Sequence, residues 1–140
     1  MEQLHTFSQT LSLNDIPALR KQMEQAMLEL GGDPDAVADL ILAVNEALVN
    51  SMRHGYQDQA GQVTMELWRA GRSLVVVQRD AARPFDPTTA PEPDTKLPLA
   101  LRPFGGMGIH MMRNFTDEMR YERTKDGRNQ LTFVKYNTFP

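Results

Sequence analysis

Ile41-Leu-Ala-Val-Asn45-Glu46-Ala-Leu-Val-Asn50-Ser-Met-Arg-His54-Gly-Tyr56 is the stretch whose reading decides the fold. It lies late in a helical pattern that begins after Asp33-Pro34. Asp33 suits the N-cap, and Pro34 suits the first helical position, where a missing N–H costs nothing. At about 100° per residue, Val37, Leu40, Ile41, Val44, Leu48 and Ser51 share one face, and Asp39, Ala43, Glu46, Asn50 and Arg53 fall on the other. Glu46 and Asn50 stand one turn apart and project the same way, with Ala43 and Ala47 leaving room beside them.

A carboxylate and a carboxamide at that spacing suit a cation with hard-oxygen preferences. Asn50 offers a neutral carbonyl to Mg²⁺, which keeps most of its waters and takes other oxygens from phosphate. Glu46 can accept a proton from a nucleophile or orient a water. The competing reading is an ordinary solvated helix face, so the rest of the chain has to decide.

A chain of 140 residues with 41% hydrophobic and 24% charged residues is expected to form one domain with a real core. A net charge of −3 gives no electrostatic case for nucleic acid or an anionic membrane. The absence of cysteine excludes disulfides and thiolate metal sites. No apolar run approaches the ~18 residues of a membrane span, and the N-terminus lacks a signal pattern, so a soluble cytoplasmic protein is expected.

Outward from the central helix, Leu4 to Leu13 reads as a strand and Ile16 to Leu30 as an amphipathic helix stopped by Gly31-Gly32. Val63 to Trp68 alternates as a strand, turns at Ala70-Gly71-Arg72, and continues into Leu74 to Val77, an apolar run suited to a buried strand. That strand runs into Asp80, placing a carboxylate where a sheet opens onto a cleft. Between Arg83 and Pro103 lie six of the nine prolines (Pro84, Pro87, Pro91, Pro93, Pro98, Pro103), the composition of a lid or of a disordered insertion. Phe104-Gly105-Gly106-Met107-Gly108-Ile109 then opens a short helical pattern through Met112 and Phe115. Glycines there let backbone N–H groups approach an anion at a helix start. Glu118 to Arg123 and Asn129 to Tyr136 close the chain as a hairpin around Asp126-Gly127. This order predicts an α+β fold: a two-layer sandwich of a mixed, mostly antiparallel sheet with helices on one face.

The helix motif from Leu42 to Tyr56 resembles the N box of the GHKL (Bergerat-fold) ATPases, the group of gyrase, a heat-shock chaperone, histidine kinases and MutL. It is most similar to the anti-sigma-factor serine/threonine kinases of the RsbW and SpoIIAB type. Asp80-x-x-x-Pro84-Phe85-Asp86-Pro87 resembles their adenine-binding box. Gly105-Gly106-x-Gly108-Ile109 with Asp117 resembles their second glycine box, and Asn129-Gln-Leu-Thr132-Phe-Val-Lys135 resembles their final strand. Nearly the whole chain is covered, as one ATP-binding kinase domain over 1–140 with an ATP lid at about 83–104.

The resemblance implies ATP or ADP and Mg²⁺ as ligands. Glu46 would be the general base, Asn50 the Mg²⁺ ligand, and Asp80 the acceptor for the adenine amino group. Ala82 and Phe85 would flank the base, Gly105, Gly106, Met107, Gly108 and Ile109 would line the phosphates, and Thr132 would support the adenine end. The implied partners are a STAS-domain antagonist phosphorylated on serine, and a sigma factor or analogous regulator. The first strand resembles the family's dimerisation edge, implying a homodimer. One departure stands out: the family pattern has glycine where this chain has Ala82, which predicts weakened nucleotide binding. Two other readings stay open, a partner-binding module without catalysis and a detached histidine-kinase-type ATPase domain.

Overall fold

The computed structural model describes residues 1–89 and 112–140. Strand β1 (Glu2–Leu11) leads to helices α1 (Ile16–Glu29) and α2 (Pro34–Asn50), followed by β2 (Gly61–Ala70), β3 (Ser73–Asp80), β4 (Glu118–Arg123) and β5 (Asn129–Lys135). The five strands form one sheet in the order β1-β2-β3-β5-β4. Every described pairing is antiparallel, so the mixed sheet allowed by the sequence resolves to an antiparallel one. The reason is the closing hairpin: β5 folds back between β3 and β4, running opposite to both.

Helix α2 starts where its cap says. The Asp33 carboxylate accepts from the Ala36 N–H at 3.0 Å, satisfying one of the orphan donors at the α2 N-terminus. Gly31 has φ +95°, the left-handed conformation that ends α1 at low cost. At its far end α2 widens into one π-type turn over Ser51–Gly55, closed by the Tyr56 N–H on the Ser51 carbonyl at 2.8 Å. Single wide turns of this kind are frequent at functional sites.

The core lies between the helices and one face of the sheet. Ile16, Leu19, Met23 and Met27 of α1 and Val37, Leu40, Val44 and Leu48 of α2 are buried against Met65, Leu67, Leu74, Val76 and Phe133. Burying each such side chain contributes roughly 1.5–3 kcal/mol relative to exposure. Parity in the strands decides which side chains join them. In β3, Leu74, Val76, Gln78 and Asp80 face the helices, opposite Phe133, Leu131 and Asn129 of β5. Val75, Val77 and Val134 face the other way and pack against Trp68.

Strand β1 shows how a local irregularity serves this layer. Leu4 and Phe7 are three residues apart and would lie on opposite faces of a regular strand. A bulge between Gln3 and His5 resets the register, and both side chains pack on the core. The C-terminus is tied down by Arg72, whose carbonyl accepts from the Thr138 and Phe139 N–H groups. Arg69 lies 4.6 Å above the buried Phe139 ring. Among the described residues no helix is long and apolar enough to cross a membrane.

Candidate functional site

The second face of α2 is solvated only in part, with Arg53 exposed and Asp39 and Glu46 half-buried. Ala43 and Ala47 are buried and Asn50 is 8% exposed, because the end of the helix leans over the end of β3. Ala47, Asn50 and Ser51 form one wall of a cavity. Gln78 and Asp80 of β3, Leu131 and Asn129 of β5, and Tyr121 of β4 form its floor. Ala82, Arg83, Phe85 and Met112 sit at its rim.

Asp80 is its electrostatic centre, only 6% exposed. Its carboxylate accepts from the Ser51 hydroxyl at 2.9 Å, the Asn129 amide at 2.8 Å and the Ala82 N–H at 3.1 Å. Ser51 is itself held by the Gln78 amide at 2.7 Å. A buried carboxylate supplied with donors in this way is compatible with the interior. Two polar atoms are not satisfied: the Asn50 amide nitrogen and the Gln78 amide oxygen are buried without a partner among the described residues. Each such orphan costs roughly 1–3 kcal/mol, so their presence in the lining of one cavity calls for an explanation by ligand or solvent.

The sequence candidates separate into groups. Asn50, Asp80, Ala82 and Phe85 come together around this cavity. Glu46 is half-buried one turn before Asn50, outside the cavity lining, and makes no hydrogen bond or ion pair with a described residue. Thr132 requires correction: it lies on the opposite face of the sheet, paired with Val77 and Arg120, and cannot reach the cavity. The place expected for it is filled by Asn129, directly opposite Asp80. Gly105, Gly106, Met107, Gly108 and Ile109, with most of the 83–104 lid, lie outside the described residues. The lid's first residues are described. Asp86 accepts from the Thr88 N–H at 2.9 Å and caps the short turn Pro87–Thr89, and the Phe85 ring stacks on His54 at 6.1 Å.

Ala82 does not have a positive φ, so its replacement of glycine brings no backbone strain. Its effect is steric and local. A Cβ placed on Gly55 would lie 2.7 Å from the Ala82 Cβ. Gly55→Ala is therefore expected to destabilise by about 1–3 kcal/mol through overpacking. Adding Ala82→Gly should recover most of that loss, a coupling measurable by urea denaturation of the two single variants and the double variant.

Tyr56 ties the rim together. Its hydroxyl donates to the Gln62 carbonyl at 2.6 Å and accepts from the Ala81 N–H at 2.8 Å, next to Asp80. Burial pushes the phenol above its ordinary pKa, the Ala81 N–H partly offsets this, and the charge of Asp80 adds to the rise. The folded state thus favours the neutral phenol. Its stabilisation is present below the ordinary tyrosine value of about 10 and is lost as pH rises through the raised folded value. Wild type should exceed Tyr56→Phe by about 1 kcal/mol at neutral pH. That margin should shrink above about pH 10 in urea titrations.

A family model described as the histidine kinase-like ATPase domain matches residues 10–135. An anti-sigma F factor of Clostridium kluyveri is 31% identical over 104 residues, covering 72% of this chain and 71% of that protein. The serine/threonine-protein kinase BtrW of Bordetella bronchiseptica is 33% identical over 101 residues, covering 70% and 69%. In the solved structure of the RsbU and RsbW domains of a Mycobacterium tuberculosis protein, a region superposes on 97% of this chain with TM-score 0.65 and 20% identity. This chain spans 33% of that longer one, and the likeness is one of fold. With the matching model extending from β1 to the end of β5 and the five-stranded antiparallel sheet carrying its helices on one face, the chain belongs to the histidine kinase-like (GHKL) ATPase domain family.

Proposed function

We propose that the chain is an ATP-dependent serine/threonine protein kinase acting as an anti-sigma-factor-type partner switch. It would phosphorylate a serine on a STAS-domain antagonist, and it would hold a sigma factor or similar regulator when the antagonist is phosphorylated. The observation that carries this reading is one cavity lined both by Asp80, a buried carboxylate, and by Asn50, whose amide nitrogen has no partner among the described residues. The family supplies a nucleotide, and the names of two relatives supply the anti-sigma and kinase roles.

Each residue then has a task. Asp80, acceptor-only, takes a hydrogen bond from the adenine amino group, and Phe85 covers the base at the rim. Asn50 fits a metal–phosphate group well: its carbonyl suits a hard cation and its orphaned NH₂ suits a phosphate oxygen. Mg²⁺ held there would supply neutralisation of phosphate charge. The glycines at 105, 106 and 108 would cradle the phosphates.

Glu46 stands outside the cavity lining, and no described residue competes for its oxygens, so it is free to meet a partner's serine. In transfer, the serine Oγ bonds to the γ-phosphorus, the bond from that phosphorus to the bridging oxygen of ADP breaks, and the hydroxyl proton passes to Glu46. Strand β1, at the sheet edge with one side unpaired by β2, is available for the homodimer. As an ATP-consuming kinase, the chain would work in the cytoplasm.

Incubation with γ-labelled ATP and a STAS-domain partner tests the reading. Label on the partner's serine supports it. Tight capture of the partner without label would make the chain a binding module, and label on a histidine would favour the histidine-kinase alternative.

A further inference from the structure

Asn129 has no hydrogen-bonding capacity left for a ligand. Its Oδ1 accepts from the Tyr121 hydroxyl at 2.5 Å and from the Arg123 guanidinium at 2.9 Å. Its Nδ2 donates to Asp80 Oδ1 at 2.8 Å and to the carbonyls of Ala82 and Arg83 at 3.2 and 3.1 Å. Two donors on the oxygen and three acceptors around the nitrogen admit one orientation of the amide, because flipping it would set NH₂ against the Arg123 guanidinium and oxygen against the Asp80 carboxylate. Arg123 reinforces the arrangement by also donating to the Ala82 carbonyl at 3.2 Å.

The consequence falls on Asp80. A carboxylate oxygen has two good acceptor positions. Oδ1 is filled by Asn129 and the Ala82 N–H, and Oδ2 is half filled by Ser51. Ser51 is fixed in turn by Gln78. The carboxylate is gripped from both sides and retains one acceptor position, on Oδ2.

We propose that Asn129 is the specificity-determining positioning residue of this site, locking Asp80 so that the cavity selects purines bearing a 6-amino group over 6-oxo purines. The inference rests on the nucleotide reading above. A mobile carboxylate could turn to accept from the ring N1–H of an oxo purine and would discriminate poorly. A locked carboxylate with one open position meets either the amine, a donor, or the oxo oxygen, an acceptor that it repels. A site that leaves buried polar groups unpaired with the wrong ligand discriminates most strongly.

The test is calorimetric titration with Mg-ADP and Mg-IDP, whose bases differ at the 6-position and in the N1 proton. Wild type is expected to prefer ADP. Asn129→Ala is expected to narrow the ADP-to-IDP affinity ratio by about tenfold or more, the scale of one charge-assisted hydrogen bond. Tyr121→Phe, which removes one of the two donors that orient the amide, should narrow it by a smaller factor. A purely structural role would lower melting temperature without moving this ratio. A wild-type ratio in Asn129→Ala overturns the inference; if that variant does not fold, a wild-type ratio in Tyr121→Phe overturns it. Equal binding of ADP and IDP by wild type overturns it while leaving the nucleotide reading standing. Binding of neither nucleotide overturns both.

Discussion

Glu46→Gln is expected to lower phosphoryl transfer to the partner's serine by ~10²–10⁴-fold, the range of a positioned general base, while nucleotide affinity and partner capture stay unchanged. A serine hydroxyl is a poor nucleophile at neutral pH, so a carboxylate that takes its proton as the bond to phosphorus forms has a large effect. The substitution keeps shape and removes only the basic oxygen. The structure makes the separation of effects sharp. Glu46 is half-buried on α2, has no ion pair or hydrogen bond with a described residue, and lies outside the cavity lining. Its loss should therefore leave stability and the nucleotide cavity intact. Single-turnover transfer from labelled ATP, set beside ADP titration and partner pull-down, measures all three. Wild-type transfer by the variant would remove Glu46 from the chemistry.

Asn50→Ala is expected to abolish the Mg²⁺ dependence of nucleotide binding. The loss should be at least the ~10–100-fold that removing even an outer-shell metal partner typically costs. A hundredfold loss removes about 2.7 kcal/mol of ligand stabilisation at a fixed excess of ADP, which a thermal-shift titration resolves. The sign of the effect on the ligand-free protein separates this role from a structural one. The Asn50 amide nitrogen is buried without a partner among the described residues, so its removal relieves a cost of roughly 1–3 kcal/mol instead of adding one. The variant should melt at or above the wild-type temperature without nucleotide and respond less to Mg-ADP. Groups kept at the expense of stability are the mark of a functional site. A variant that melts lower and responds normally would make Asn50 a structural residue.

Much of the local architecture is determined by the sequence itself. The N-cap at Asp33, the glycine stop at Gly31, the apolar period of α1 and α2 and the Asp126-Gly127 hairpin turn all set element ends through contacts a few residues long. Those contacts are local, so the residues that make them are adjacent in the text of the chain. The place of Asp80 at the end of β3 was legible for the same reason, since the apolar run Leu74 to Val77 gives way to polar residues just before it.

Tertiary structure alone decided which residues surround that carboxylate. The face on which a β5 side chain lies depends on pairing with β3, a strand some fifty residues away, and a shift of one residue exchanges the faces. That parity puts Asn129 and Leu131 on the cavity floor and sends Thr132 to the other side of the sheet. The burial of Asn50 is decided in the same way. Its helical phase reads as solvent-facing, and only the approach of α2 to the end of β3, through small Ala47 and the wide turn after Asn50, encloses it. Hydrogen bonds within a turn are set by chain neighbours. The grip of Ser51 and Asn129 on Asp80 joins α2, β3 and β5 across spans of 29 and 49 residues, and it exists only once hydrophobic packing has brought those elements together.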